Sequence, residues 1–274
     1  MKKTIQELLN FSIINIDKPA GPTSFGIDVI VKKALGLSKT SHFGTLDPQV
    51  TGVLPIALGR ACRLSDYFMH RNKKYVGIMR VHQEISREKL EKELENFIGK
   101  IMQLPPVKSR VKREIREREV FSFKILEQDG KDFLFETEVQ AGTYIRKLIS
   151  DLGERIGGAH MLELRRTQAG IFSEENIVNL YDFEKAVEEF KDGKEEQLRK
   201  ILIPAEEALK KILPSVQIKP ELIKQLLTGK PLHKTDIKLG KEEKFAVFCQ
   251  DRFIGVYKKV DEGSIVARAE FVYN

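Results

Sequence analysis

The chain has 274 residues, more than one core usually needs, so one large domain plus a small one is the favoured division. Its 47 Lys+Arg against 40 Asp+Glu give a net charge of +7, which favours a polyanionic partner such as nucleic acid. No apolar run of about 18 residues is present, the opening MKKTIQELLN lacks a signal-peptide core, and Cys62 and Cys249 have no CxxC partner; the expectation is a soluble, intracellular protein with reduced thiols and neither zinc site nor disulfide framework.

In chain order, FSIINIDKPAGPTSF (11–25) starts as a short apolar strand that ends at Lys18 and turns at Pro19, Gly21 and Pro22. The helical spacing of Ile27, Ile30, Val31 and Ala34 predicts a helix from Ser24 to about Leu35, with Ser24 as N-cap and Gly36 as stop. VLPIALGRACRL reads equally as strand or buried helix. KKYVGIMRVHQ (73–83) has strand character, and SREKLEKELENFIGK (86–100) carries Leu90, Leu94, Phe97 and Ile98 on one helical face. EVFSFKILEQDG and KDFLFETEVQAG form a predicted hairpin about Asp129-Gly130, and TYIRKLISDLGERIG a helix ended by glycines. Helical segments follow at about 181–191 and 195–212, then a proline-marked boundary at 214–220 and a β-rich tail of about 60 residues.

Residues 42–52, HFGTLDPQVTG, place a single carboxylate, Asp47, in a loop framed by Gly44, Gly52 and Pro48. The glycines permit backbone conformations closed to other residues and the proline fixes the chain after the acid, so the carboxylate is held rigidly; taken alone, the same pattern is also an ordinary Asp-Pro turn. No second acid, nucleophilic Ser or Cys, or metal ligand accompanies it, and no metal is expected. A carboxylate working in a dry site needs a cation beside it to remain charged, and Arg146, at a strand-to-helix junction, is a candidate. Tyr75 and Tyr144 are suited to stacking on a base, or else are sheet-core tyrosines. His42 reads as a loop-fixing or RNA-contacting group, and Arg165 and Arg166 as phosphate ligands or partners of acids. In KSRVKREIRER, Lys108, Arg110, Lys112, Arg113, Arg116 and Arg118 outnumber the acids and form a candidate projecting ribbon for phosphates, or else a solvated charged face.

The motifs IDKPAGPTS, HFGTLDPQVTGVLP, KKYVG, QAGTYIRKLISDLG and AHMLELRRT, in that order, resemble the TruB family of pseudouridine synthases; LPPVKSRVKREIRER, NIVNLYDF and LRKILIPAEEAL extend the resemblance towards its archaeal and eukaryotic dyskerin branch, over about residues 11–213. The resemblance implies an α+β pseudouridine-synthase fold: a central mixed, largely antiparallel sheet flanked by helices at 11–213, and a small β-barrel-like PUA-type domain at 214–274, on which residues 1–10 are free to pack. It implies Asp47 as catalytic residue, Tyr75 stacked on the uracil, Arg146 paired with the acid, Tyr144 and Leu164 as further pocket residues, His42 against the displaced nucleotide, Lys18 bracing the loop and the 108–118 segment as a thumb over RNA. It further implies no cofactor, an H/ACA guide RNA and substrate RNA as partners, and small zinc-ribbon, β-barrel and kink-turn-binding accessory proteins. A stand-alone synthase for the tRNA T-loop is the first alternative, and a catalytically silent RNA-binding scaffold the second. Phe43 departs from the branch, which usually has a small residue there, and the C-terminal module is shorter than the branch's own.

Overall fold

The structure is a computed structural model that describes residues 3–106 and 111–274, so Lys108 and Arg110 lie outside the described residues. It divides into two compact units, Met1–Leu202 and Ile203–Asn274.

In the first unit, α1 (Ile5–Asn10) opens with a reciprocal capping box between Thr4 and Glu7 and buries Ile5, Leu8 and Leu9 in that unit's core. The strand β1 (Ser12–Lys18) leads into α2 (Ser24–Ala34). Thr23, and not Ser24, is the N-cap: its hydroxyl accepts the Gly26 N–H at 2.9 Å, which leaves the Ser24 hydroxyl for another task. After β2 (Thr40–His42), the ambiguous apolar stretch resolves into a strand, β3 (Thr51–Leu58), followed by a 3-10 turn at Gly59–Leu64 and the short α3 (Ser65–Met69).

Next come β4 (Lys73–Val81) and α4 (Arg87–Glu95), which is shorter than expected. Leu90 and Leu94 face the core, whereas Ile98 is exposed and the chain at Gly99–Gln103 pairs as β5. The hairpin of β6 (Arg116–Asp129) and β7 (Asp132–Val139) and then α5 (Ile145–Ile156) follow as predicted, and the strand β8 (Ala159–Ala169), which the sequence does not announce, comes next. The short strands β9 (Phe172–Ser173) and β10 (Val178–Asn179) precede α6 (Leu180–Lys191). The expected helix over 195–212 is two helices, Glu196–Ile201 and Ala205–Lys210, because Pro204 between them has no N–H to continue the ladder.

The sheet of this unit runs β10-β1-β3-β8-β4-β7-β6-β5, with β2 against β3 and β9 against β8. The β1–β10 and β3–β8 pairs are parallel and the others antiparallel, so the mixed, largely antiparallel sheet expected from the sequence is present. One core cluster joins α1, α2 and α6 to β1 and β3, and a second joins α4 and α5 to β4, β6 and β7. Strand register then aligns one row of residues from distant parts of the chain: Lys18 opposite Gly52, Gly52 opposite Arg166, Arg166 opposite Tyr75, and Tyr75 opposite Thr137.

The second unit is a curled, five-stranded half-barrel ordered 215–217, 244–249, 252–262, 265–272 and 232–233, in keeping with the PUA-type expectation. Leu226, Leu232, Phe245, Val247, Ile254 and Tyr257 fill its core. Among the described residues no helix is long and apolar enough to cross a membrane.

Candidate active site

Between Phe43 and Val50 the chain has no regular secondary structure, yet its backbone is tied down on both sides of the acid. Gly44 offers its carbonyl to an Arg166 Nη at 2.9 Å. Leu46 exchanges two hydrogen bonds with the buried Ser24 hydroxyl, its N–H donating at 2.8 Å and its carbonyl accepting at 3.0 Å. Beyond the acid, Lys18 Nζ donates to the carbonyls of Pro19, Pro48 and Val50 at 2.9, 2.8 and 2.9 Å, and the Gly21 N–H also reaches Pro48 O. The Val50 N–H closes a turn onto Asp47 O at 3.0 Å. Gly52 is required where the loop enters β3: its φ is +100°, and a Cβ there would stand 2.2 Å from the Arg166 carbonyl oxygen.

This bracing is done mainly by cations that have left water. Lys18 is fully buried; burial lowers its pKa most, the Asp47 charge works in the opposite sense, and Arg166 adds to the lowering. Arg166 is buried too, and besides Gly44 its Nε donates to Val53 O at 2.8 Å. Burial lowers its pKa, an effect partly offset by the Tyr75 hydroxyl. Lys73, which donates to the carbonyls of Met69 and Arg71, is pulled down to about 8 by burial and then by the Arg166 charge. Three cations thus lie close behind one loop, Lys18 and Arg166 bonded to its backbone and Lys73 beside Gly44.

The Asp47 side chain is the part left open. It is about half exposed (51%) and pairs with Arg146 Nη at 2.7 Å. Both groups meet water, so the pair adds little to stability, and its effect is to fix where the carboxylate points. Arg146 sits in the first turn of α5, whose start is set by Gln103: the Gln103 side chain accepts the Tyr144 N–H at 3.0 Å and donates to the Tyr144 carbonyl at 3.2 Å. Tyr144 itself is half-buried at the N-cap. Tyr75 and Leu164 are buried on β4 and β8 and share a cluster with Leu46, Val50 and Ile145. Asp47, Arg146, Tyr75, Leu164 and Lys18 therefore belong to one region of the fold, with an apolar floor, an aromatic ring and an ion pair open to solvent. Such an arrangement holds a carboxylate, steered by a guanidinium, beside an apolar floor and an aromatic ring.

His42 is engaged at both ring nitrogens, Nδ1 with Asp28 at 2.6 Å and Nε2 with the Thr45 hydroxyl at 3.0 Å, which ties the near side of the loop to α2. Phe43 turns into the core, stacked on Phe68 at 4.9 Å between centroids and tilted against Phe172, so its bulk does not crowd the acid. The basic segment stands apart from this packing. Lys112 and Arg113 are exposed, Lys112 and Arg116 each pair with Glu114, and Arg116 and Arg118 lie at the start of β6. Arg165 pairs with Asp17 and Glu174 and helps to line a groove of about 410 Å³, formed also by Pro19, Thr51, Asn179 and Tyr181, which does not include Asp47.

Ser24, Gln103, Lys73 and Arg166 hold the site and were not singled out for that role by sequence. For Arg166 a signal existed: in a strand it shares a face with Leu164, two residues earlier, and Arg165 takes the other.

The family model for the TruB family pseudouridylate synthase N-terminal domain matches residues 32–145, and that for the tRNA pseudouridylate synthase B C-terminal domain matches residues 146–210. A probable tRNA pseudouridine synthase B of Methanopyrus kandleri is 47% identical over 230 residues, 83% of this chain and 68% of the relative. Its counterpart in Methanothermobacter thermautotrophicus is 43% identical over 238 residues, 86% of this chain and 73% of the relative. Among solved structures, a chain of a Cbf5–Nop10–Gar1 complex superposes with a TM-score of 0.89 at 37% identity, covering 99% of this chain and 87% of that one. A chain of an H/ACA ribonucleoprotein bound to a substrate RNA containing 2′-deoxyuridine gives 0.88 at 35% identity, covering 100% and 88%. The two family matches meet between the helix N-cap and Arg146, so together they take in both the acid loop and its guanidinium, and with relatives this similar along most of their length the chain belongs to the TruB family of pseudouridine synthases.

Proposed function

We propose that this synthase isomerises uridine in RNA with Asp47 as its catalytic carboxylate, and that it works as the catalytic subunit of an H/ACA guide ribonucleoprotein. The observation that carries the first part is the Asp47–Arg146 pair at 2.7 Å on a loop whose backbone is anchored on both sides of the acid. Pseudouridine formation breaks the C1′–N1 bond, turns the uracil and joins C1′ to C5, exchanging the proton at C5 for one at N1, with no net redox change. One carboxylate suffices: it either attacks C1′ or takes the 2′ proton to give a glycal. The uridine must leave its stack to reach the acid. Tyr75 would receive the flipped base, with Tyr144 beside it and Leu164 as the apolar wall, and Arg146 would keep the carboxylate in place. His42 would reach the displaced nucleotide only by releasing Thr45; otherwise its work is on the loop.

In this reading residues 11–213 carry the chemistry, the segment 108–118 clamps RNA and the module at 214–274 binds RNA. Partners would be guide and substrate RNA with small zinc-ribbon, β-barrel and kink-turn-binding proteins, in an intracellular setting. The likeness to chains from a Cbf5–Nop10–Gar1 complex and from an H/ACA ribonucleoprotein supports the guide-dependent form. A second reading, a stand-alone tRNA synthase, is favoured by the names of the sequence relatives. Purifying the protein with its bound RNA, sequencing that RNA and mapping pseudouridine on naked tRNA with and without guide assembly separates the two. Co-purified hairpins ending in ACA and guide-dependent modification support the first; modification of naked tRNA with no such RNA bound replaces it with the second.

A further inference from the structure

The loop that carries Asp47 and the strand that carries Tyr75 are separated in the sheet by β8, and one residue of β8 is bonded to the first and lies opposite Tyr75 in the second. Arg166 is in register with Gly52 on one side and Tyr75 on the other, and is 1% exposed. Its Nε donates to Val53 O at 2.8 Å and an Nη donates to Gly44 O at 2.9 Å, and Tyr75 is near enough to offset part of the lowering of its pKa by burial. None of these partners is a carboxylate. An apolar side chain of similar volume would fill the space without removing a charge from water. What only a guanidinium supplies is a rigid planar fork of donors that holds separate acceptors in fixed relation. Because that fork has no acceptor, any hydrogen bond between it and Tyr75 is one that the phenol oxygen accepts.

We infer that Arg166 is a positioning residue of the reaction: from within the sheet it sets the spacing between the Asp47 loop, held through Gly44, and the Tyr75 ring. The inference rests on the proposed roles of Asp47 and Tyr75. Single-turnover tritium release from RNA labelled at uridine C5, with the full chain in whichever form, guide-assembled or stand-alone, modifies RNA, reads the chemical step. Arg166→Lys keeps the charge and loses the fork. The expected result is a rate at least about tenfold lower with RNA affinity within about threefold, and a loss at least about threefold smaller when Tyr75 is already Phe. Equal losses in the two backgrounds, or a wild-type rate for Arg166→Lys, would overturn the inference.

A measurement without turnover covers the case in which that variant does not fold. In protein carrying 15N-arginine, the Arg166 Nε–H should give a slowly exchanging resonance that shifts, or exchanges faster, when Tyr75→Phe removes the hydroxyl. A resonance indifferent to Tyr75→Phe would equally overturn it. An inactive wild type would count against the functional reading alone, while the resonance still decides the role of Arg166.

Discussion

The loop at 42–52 and the basic segment at 108–118 both depend on cations, and they use them in opposite ways. Behind the loop, Lys18 and Arg166 are buried and give their hydrogen bonds to backbone carbonyls. On the segment, Lys112 and Arg113 stand in water, and Lys112 pairs with an exposed glutamate. A buried cation pays a large desolvation cost and in return fixes geometry, whereas an exposed one keeps its mobility and remains free to exchange one anion for another. Placement is thus the task of the first region and attraction that of the second, and substitutions in the two should fail differently.

The sharpest break is at the acid. Asp47→Asn keeps the loop's anchors, which are all backbone or other side chains, and removes the charge. Pseudouridine formation should fall by at least about a thousandfold while RNA affinity stays within about tenfold. Full activity in that variant, measured by pseudouridine mapping, would end the assignment. Lys18→Met comes next. It leaves the Pro19 and Val50 carbonyls without their Lys18 donor while Pro48 keeps the Gly21 N–H. Denaturant unfolding should show a loss of about 2–4 kcal/mol, with a slower chemical step, since a buried acceptor left without its donor loses both bond and solvation. A fully stable Lys18→Met would mean the loop holds itself.

Lys73 allows the cost of burial to be read by pH. Its folded pKa is lowered from 10.5 to about 8, so between those values the unfolded chain holds a proton that the native protein has released, and stability attributable to this group rises with pH. That contribution is fully present above 10.5 and is lost as pH falls through 8. The stability of wild type relative to Lys73→Met, from urea unfolding, should therefore increase by up to about 3 kcal/mol between the two ends of this window, other lysines and tyrosines cancelling in the difference. A flat difference would show that the ammonium is solvated.

The same contrast explains what could be read in the sequence. Asp47, Tyr75, Arg146 and Lys18 were legible because each sits in a short motif whose residues are neighbours along the chain. The row of Lys18, Gly52, Arg166 and Tyr75 was not, since it exists only once strand register brings four separate strands together. Ser24 was misread as the helix cap because Thr23 beside it has the same chemistry, and which hydroxyl faces the helix depends on the turn before it. The start of β5, Gly99 and Lys100, lies hidden behind an amphipathic pattern that runs on through Ile98. Alternation of facing along β8, by contrast, was available and would have put Arg166 inside.

The smallest expected effect falls on the basic segment. In Lys112→Ala/Arg113→Ala the lost groups are exposed, and the Lys112–Glu114 pair has high accessibility at the lysine (81%), so folding stability should change by no more than about 0.5 kcal/mol. RNA affinity should fall only a few-fold, but the dependence of log K on log salt should become shallower by about 0.7–0.9 for each phosphate contact removed. Slope is the more decisive quantity, because a local change of loop shape can weaken binding without altering the number of ions released. An unchanged slope with weakened binding would mean that these side chains shape the ribbon and do not touch phosphate, and the division between a region that places and a region that attracts would fail on its second half.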